Sequence, residues 1–543
     1  MGYTEKHELW KKRVKDRKLL RELLEMNEDQ INSAFYKELE FGTAGIRGIM
    51  GAGSGRINIY TVRKITQGVA IYMQNHGYNK VVISYDSRIN SELFAREAAA
   101  VMTSAGMTAY ITPTLMPTPY LSYAVRRLAT DIGIMITASH NPSEYNGYKV
   151  YDESGCQIRE EAAKEIAEYI SQVDAFRVKT HSFDYYLKRE AVNFVPDEVT
   201  SDYMAEIDAV CAKKRAELKV VFTPLCGTGY KLVPQMLREL GSEVILVDKQ
   251  SEPNGKFPTC KSPNPEKKEA LKSGIKLLKA ENADLLIATD PDADRIGVAF
   301  MDGDKPIILS GNEMGVLMCD YLLRNYGGNK KPLVVRTLVS TDLVDKIAFE
   351  HNAEIRAVPT GFKYIGEIIN SLNHSGEADR YLLGFEESQG YLIGTHVRDK
   401  DAVVGAKLMA IIAADLKKEE KTLGDRLNEL YEKHGYYAHR QFSYRFEGSA
   451  GEARMKELLE LLRNQPLTQI AGKNVTLVTD YAIGKDGLPK LNMIRYDFMG
   501  GNVIVRPSGT EPLIKIYACS HLTPRQNDKI LHQINVQFSE IFA

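Results

Sequence analysis

Lys80-Val81-Val82-Ile83-Ser84-Tyr85-Asp86-Ser87-Arg88 runs from a β-branched apolar stretch into a polar turn, and helical periodicity follows. The pattern recurs at Leu218-Lys219-Val220-Val221-Phe222-Thr223-Pro224-Leu225-Cys226-Gly227-Thr228-Gly229 and again at Pro332-Leu333-Val334-Val335-Arg336-Thr337. Continuous apolar strands alternating with helices indicate sheets buried on both faces. The three openings predict three successive α/β domains. Polar breaks at Pro196 to Asp202, Asp302 to Asn312 and Lys433 to Glu452 divide the chain into 1–200, 201–310, 311–440 and 441–543. In the last segment Glu452 to Leu462 reads as a helix, and Asn502 to Val505 and Ile514 to Ala518 as strands around a turn, a smaller α+β unit.

At 543 residues the chain is too long for one ordinary core. Its 44% hydrophobic and 26% charged residues fit a globular protein. A net charge of −1 sets up no global basic field, so nucleic acid is not an expected partner. The Lys11 to Lys18 run lies on an amphipathic helix with Leu9, Val14, Leu19 and Leu23 on one face, and reads as its solvated side. The six scattered cysteines show no zinc spacing and are expected as reduced thiols in a cytoplasmic protein. The charged start lacks the apolar core of a signal peptide, Lys6 stands where myristoylation needs Ser or Thr, and no apolar run reaches the length of a membrane span. The sequons at Asn373 and Asn474 read as chance matches.

Two stretches carry most of the chemistry. Thr137-Ala138-Ser139-His140-Asn141-Pro142 presents a serine hydroxyl in a polar turn after the apolar run Ile132 to Ile136. Asp290-Pro291-Asp292-Ala293-Asp294-Arg295 offers three carboxylates directly after Leu285-Leu286-Ile287-Ala288. Alternate positions put all three on one side of an extended segment. The calcium loop of an EF-hand needs Gly and Glu where this chain has Arg295 and Met301, so the triplet suits Mg²⁺ completed by waters and a phosphate. An acidic capping turn is the plainer alternative. Ser139 reads either as an ordinary turn serine or as a phosphoryl carrier with His140 and Asn141 beside it. A Ser-His-Asp hydrolase is disfavoured, since no GxSxG elbow surrounds it. Lys149 is a further candidate, with a surface lysine as the plainer reading.

Arg506-Pro507-Ser508-Gly509-Thr510-Glu511-Pro512 is an anion cradle or a hairpin turn. Gly384-Phe385-Glu386-Glu387-Ser388-Gln389-Gly390-Tyr391 offers acceptors and a donor for sugar hydroxyls, or is a solvated loop. Adjacent glutamates do not suit a glycosidase, whose carboxyls stand apart across the sugar. The P-loop signature is missing. Gly51-Ala52-Gly53-Ser54-Gly55 lacks both the GxGxxG spacing and a preceding strand, which argues against a dinucleotide site.

Taken in order, these motifs make the chain resemble the α-D-phosphohexomutase superfamily, and within it the bacterial phosphoglucomutases. The likeness runs from Gly42-Thr43-Ala44-Gly45-Ile46-Arg47-Gly48 to Pro512. It implies three successive related α/β domains plus a smaller C-terminal α+β domain around a central cleft. It also implies interconversion of α-D-glucose 1-phosphate and glucose 6-phosphate through a phosphoserine and a glucose 1,6-bisphosphate intermediate. Ser139 then carries the phosphoryl group and, with Asp290, Asp292 and Asp294, holds one Mg²⁺ per subunit. Arg47, Lys149 and His140 lie near the transferring group, with Arg295 beside the metal loop. Thr360, Gly361 and Lys363 belong to the loop that reads the sugar, Glu386 and Ser388 to its hydroxyl contacts, and Arg506, Ser508, Gly509 and Thr510 to the non-reacting phosphate. Pro291 and Ala293 replace glycines common in that metal loop, and both suit an extended conformation. Glu387 favours glucose over mannose or amino sugars. Phosphopentomutase, phosphomannomutase, phosphatase and a non-catalytic sugar-phosphate sensor are the alternatives. Sugar phosphates are the only partners implied, and the oligomeric state is left open.

Overall fold

The computed structural model describes residues 2–543 except 212–213, 447, 485–486 and 509–511. They form two compact units, Met1–Gly311 with Phe362–Glu419, and Asn312–Gly361 with Glu420–Ala543.

The first unit holds two mixed sheets. One runs, in spatial order, Ile46–Ile49, Tyr145–Tyr151, Ile132–Ile136, Lys80–Tyr85, Thr108–Ile111 and Val192–Phe194. The last four are parallel, while Tyr145–Tyr151 is antiparallel to both neighbours. Tyr85 pairs with Ile136, so the turns after these two strands, Asp86–Arg88 and Thr137–Pro142, leave the same sheet edge side by side. Met135 pairs with Lys149, which sets that lysine by the same ladder. The strands Lys80–Tyr85 and Ile132–Ile136 are almost wholly buried, as their unbroken apolar runs predict: Ile59–Asn75 and Ser91–Ser104 share the core on one face, and Thr118–Arg127 covers the other, where a Cβ on Gly133 would meet Val125 and Leu121.

The second sheet has the order Lys305–Ile308, Ile296–Asp302, Leu285–Thr289, Lys219–Thr223 and Glu243–Leu246. Its antiparallel pair Leu285–Thr289 and Ile296–Asp302 is joined by the acidic triplet. Residues 362–419 of this unit supply the hairpin Tyr381–Glu386 and Gly390–Ile393, with the helices Phe362–Ser375 and Ala402–Lys418.

The second unit contains the parallel pair Leu333–Thr337 and Glu354–Val358 with the helix Leu343–Glu350. It also holds a six-stranded sheet in the order Ala438–Arg445, Leu513–Ser520, Gly501–Pro507, Ile494–Phe498, Lys473–Asp480 and Gln469–Ile470. Its pairings are antiparallel, and Gly448–Asn464 and Pro524–Phe542 supply helical side chains to its core.

Two local expectations change. The N-terminal helix is two helices, Tyr3–Arg13 and Arg17–Glu25, because Val14 leaves the helical region with ψ at 126°. The glycine stretch does follow a strand, Ile46–Ile49, so only its spacing argues against a dinucleotide site. Those glycines serve packing: Glu22 accepts from Ala52 N at 3.0 Å, and Gly55 N donates to Ala34 O at 2.9 Å.

Candidate active site

The strand Ile132–Ile136 delivers Ser139 to the sheet edge in the left-handed region, with φ at +51°. That conformation costs a non-glycine residue about 1–2 kcal/mol, so neighbours must hold it. Thr137 Oγ1 accepts from Ser139 N at 2.8 Å and itself donates to Asp86 Oδ2 at 2.6 Å. Ser139 is buried, and its Oγ donates to Asp290 Oδ2 at 2.8 Å, with His140 Nδ1 at 3.2 Å. Burial pushes the His140 imidazole well below its usual range, and the nearby Arg295 and Arg47 push the same way, so the ring is neutral at pH 7. Arg47 Nη1 donates to Asn141 Oδ1 at 3.3 Å from the edge strand Ile46–Ile49.

The acidic triplet is a turn rather than the extended segment its spacing suggests. Ala293 N donates to Asp290 O at 2.9 Å, and Ala293 is left-handed with φ at +48°. Its place is therefore one that favours glycine, not an extended one. The fold-back lets Asp290 Oδ1 accept from the N–H groups of Asp294 and Arg295, each at 3.1 Å. The carboxylates converge through that turn, with one oxygen of each within 4.8 Å of the others. Pro291 is backed by the loop after Lys219–Thr223: Thr228 N donates to Pro291 O at 2.8 Å, and a Cβ on Gly227 would fall 2.4 Å from Pro291 Cα.

Lysines balance this acidic centre. Lys149, far from being a surface residue, is buried, with Nζ 2.9 Å from Asp292 Oδ2 and 3.9 Å from Asp294 Oδ2. Thr118 Oγ1 also donates to Asp292 Oδ2, at 2.9 Å. Burial alone would raise the Asp292 carboxyl, but Lys149 overrides it and holds the group well below the usual carboxylate range. Asp290 goes the other way: burial and then the charges of Asp292 and Asp294 raise it well above that range. Asp292 Oδ1 and Asp294 Oδ1 are buried and accept no hydrogen bond. Two orphaned carboxylate oxygens beside a third carboxylate are what a hard divalent cation would satisfy, so the donor set fits Mg²⁺.

The hairpin Tyr381–Glu386 and Gly390–Ile393 is tied to this centre. Glu386 is buried at the strand end, opposite Gly390 in register. Arg295 bridges to Gly390 in an isolated β-bridge, and its Nη1 donates to Ser388 O at 3.2 Å and to Glu266 Oε1 at 3.4 Å. Lys400 lies across Gly390, where a Cβ would sit 2.2 Å from its Cδ. Its Nζ is 2.8 Å from Asp399 Oδ1 and 3.2 Å from Asp294 Oδ2. Burial opposes its charge, but Asp294, Asp399 and Glu386 together raise its pKa above the lysine range.

The other expected residues are placed as follows. Lys363 stands in the first turn of Phe362–Ser375, half-buried, and burial lowers its pKa. Thr360 and Gly361 precede that helix, Gly361 with φ at +121°. Arg506 is in the strand Gly501–Pro507, paired with Lys515, and Ser508 N donates to Leu513 O at 2.8 Å. Gly509 and Thr510 lie outside the described residues. Arg88, Thr118 and Lys400 were not singled out as site residues by sequence. Lys400 had a signal in Arg398-Asp399-Lys400-Asp401, a charged run that proves entirely buried; Thr118 had none.

No helix among the described residues is long and apolar enough to cross a membrane. The chain matches the descriptions phosphoglucomutase/phosphomannomutase α/β/α domain I over residues 38–177, domain II over 201–303, domain III over 310–434, and the C-terminal domain over 445–536. It is 37% identical over 528 residues to the phosphoglucomutase of Staphylococcus saprophyticus, covering 94% of this chain and 95% of the relative. A phosphoglucomutase/phosphomannomutase family protein from Burkholderia thailandensis superposes with a TM-score of 0.70 at 20% identity, over 92% of this chain and 97% of that one. The phosphoglucomutase parafusin (pp63) of Paramecium, in its open form, gives 0.69 at 18%, over 93% and 95%. At such identities the two structures speak for the fold alone.

Proposed function

The chain belongs to the phosphoglucomutase/phosphomannomutase family, and on that premise we propose how it works. It is a phosphoglucomutase, interconverting α-D-glucose 1-phosphate and glucose 6-phosphate, with Ser139 as phosphoryl carrier and glucose 1,6-bisphosphate as intermediate and activator. The reading rests chiefly on Ser139 Oγ, 2.8 Å from Asp290 in a carboxylate cluster that keeps two buried oxygens without a hydrogen bond.

Asp290, Asp292 and Asp294, with the oxygen on Ser139, would hold one Mg²⁺ per subunit. When bound, the ion supplies positive charge where the transferring phosphoryl group accumulates negative charge. A sugar hydroxyl forms the new O–P bond as the bond from phosphorus to Ser139 Oγ breaks, and the hydroxyl proton ends on the freed Ser139 Oγ, giving the bisphosphate and the unmodified serine. In the return half, Ser139 Oγ takes the other phosphoryl group. His140 contributes orientation to Ser139 Oγ without adding charge. Lys149 keeps Asp292 ionised, and Lys400 places a second buried ammonium 3.2 Å from Asp294. Arg47 and Arg295 add cationic stabilisation. Glu386 and Ser388, with Thr360, Gly361 and Lys363, read the sugar. Arg506, Ser508, Gly509 and Thr510 grip the phosphate that does not react.

The test is intact-mass measurement with a coupled assay. Wild-type protein treated with glucose 1,6-bisphosphate should gain one phosphoryl adduct at Ser139, and Ser139→Ala should lose both adduct and turnover while keeping its thermal transition. Near-normal turnover in that variant refutes the carrier role. Faster turnover of mannose 1-phosphate would move the assignment to a phosphomannomutase.

A further inference from the structure

Arg88 is a buried arginine whose guanidinium is devoted to a single loop. Nη1 donates to Pro142 O at 2.8 Å and to Tyr145 O at 3.0 Å. Nη2 donates to Ser139 O at 2.5 Å and to Asn141 O. The one intervening carbonyl before Pro142, that of His140, accepts from Ser262 Oγ at 2.8 Å. Behind the guanidinium the Phe257 ring lies 5.0 Å from Cζ. Asp86 Oδ2 is 3.4 Å from Nε, and the same oxygen accepts from Thr137 Oγ1, which holds Ser139 N. Both the N–H and the carbonyl of the left-handed Ser139 are therefore fastened, through Asp86 and Arg88, to the turn after Lys80–Tyr85. Only a planar cation with several fixed donors spans four carbonyls in this way.

We propose that Arg88 is a positioning residue for phosphoryl transfer. By drawing the carbonyls of Ser139, Asn141, Pro142 and Tyr145 to one side of the loop, it leaves Ser139 Oγ facing Asp290. It touches neither substrate nor the reacting atoms. The proposal rests on Ser139 being the phosphoryl carrier. Misalignment of the order of 1 Å at a reacting oxygen costs about a hundred-fold in rate, whereas the residues that bind the sugar are elsewhere, so the effect falls on kcat rather than KM.

The experiment uses Arg88→Lys, whose ammonium keeps the charge but cannot span the four carbonyls. Wild type and variant are phosphorylated with glucose 1,6-bisphosphate, checked by intact mass, and mixed with glucose 1-phosphate in a rapid-quench single turnover. The phosphoryl group should leave the variant at least ~ten-fold more slowly, with KM for glucose 1-phosphate within about two-fold. Unchanged transfer, or a rise in KM alone, overturns the proposal. A wild type that takes no phosphoryl group on Ser139 refutes the carrier role instead, and the two failures are thereby told apart. If Arg88→Lys does not fold, Phe257→Leu, which removes the ring behind the guanidinium, serves in its place. Its kcat should fall by about three-fold at constant KM, and wild-type kcat in that variant overturns the proposal equally.

Discussion

Lys149 Nζ and Asp292 Oδ2 stand 2.9 Å apart, both buried, within a cluster of three aspartates. The lysine is thus a buried ion-pair partner inside the acidic centre.

Removing that charge strands a buried carboxylate. Breaking one side of a buried pair is expected to destabilise by roughly 3–5 kcal/mol. Lys149→Met should therefore melt well below wild type in EDTA, and excess MgCl₂ should recover more of the loss than it adds to wild type. The check is differential scanning calorimetry in both buffers. An equal magnesium increment in the two proteins would show that the lysine and the cation do not share the same carboxylates.

Glu386 is buried at the end of its strand, and under the proposed function its carboxylate bridges two sugar hydroxyls and so distinguishes epimers. Leaving such a group unpaired costs ~1–3 kcal/mol. Glucose 1-phosphate should exceed mannose 1-phosphate by about ten-fold or more in kcat/KM, and Glu386→Gln should narrow the ratio. Steady-state kinetics on both sugars decide it, and equal values for the wild type would contradict the assignment.

Arg506 should show a mixed phenotype. A guanidinium grip on a remote phosphate gives uniform binding, read in KM, and alignment, read in kcat. Arg506→Ala should raise KM, lower kcat moderately, and release more glucose 1,6-bisphosphate into solution, while Ser139 still takes its phosphoryl group. Chromatographic quantification of free bisphosphate during turnover is the measurement.

His439 gives a pH signature away from the chemistry. Burial lowers its pKa to about 4, with Arg336 and His521 adding to the fall and Asp342 opposing it. An unfolded histidine titrates near 6.5, so between about 6.5 and 4 the unfolded chain binds more protons than the folded one. Stability is then lost as pH falls through that window, on the order of 3 kcal/mol from this residue. Urea titrations at several pH values should show a shallower slope in His439→Gln.

The three strand openings were legible because strands buried on both faces must be continuously apolar: Lys80–Tyr85, Lys219–Thr223 and Leu333–Thr337 all form as expected. Ser139 and the three aspartates were legible because polar groups packed after such runs sit at strand ends. Other features were hidden by distance along the chain. Arg88 meets its carbonyl partners 51 to 57 residues later, and Lys400 reaches Asp294 across more than a hundred. The Arg88 contacts have no local signature, and the charged run around Lys400 marks the residue without pointing to Asp294 as its partner. The conformation of Ala293 was misread because alternation of carboxylates describes an extended strand equally well, and only the hydrogen bond closing the turn distinguishes the two.

The pairing of Met135 with Lys149 in one antiparallel ladder has a consequence for how this protein fails. Strand register is quantised: a slip of a single residue turns every side chain to the opposite face. Lys149 would then leave the acidic centre while most of the sheet's hydrogen bonds re-formed. A misregistered molecule could retain native helix and strand content and yet be inert, so refolding yields judged by circular dichroism should overstate those judged by turnover.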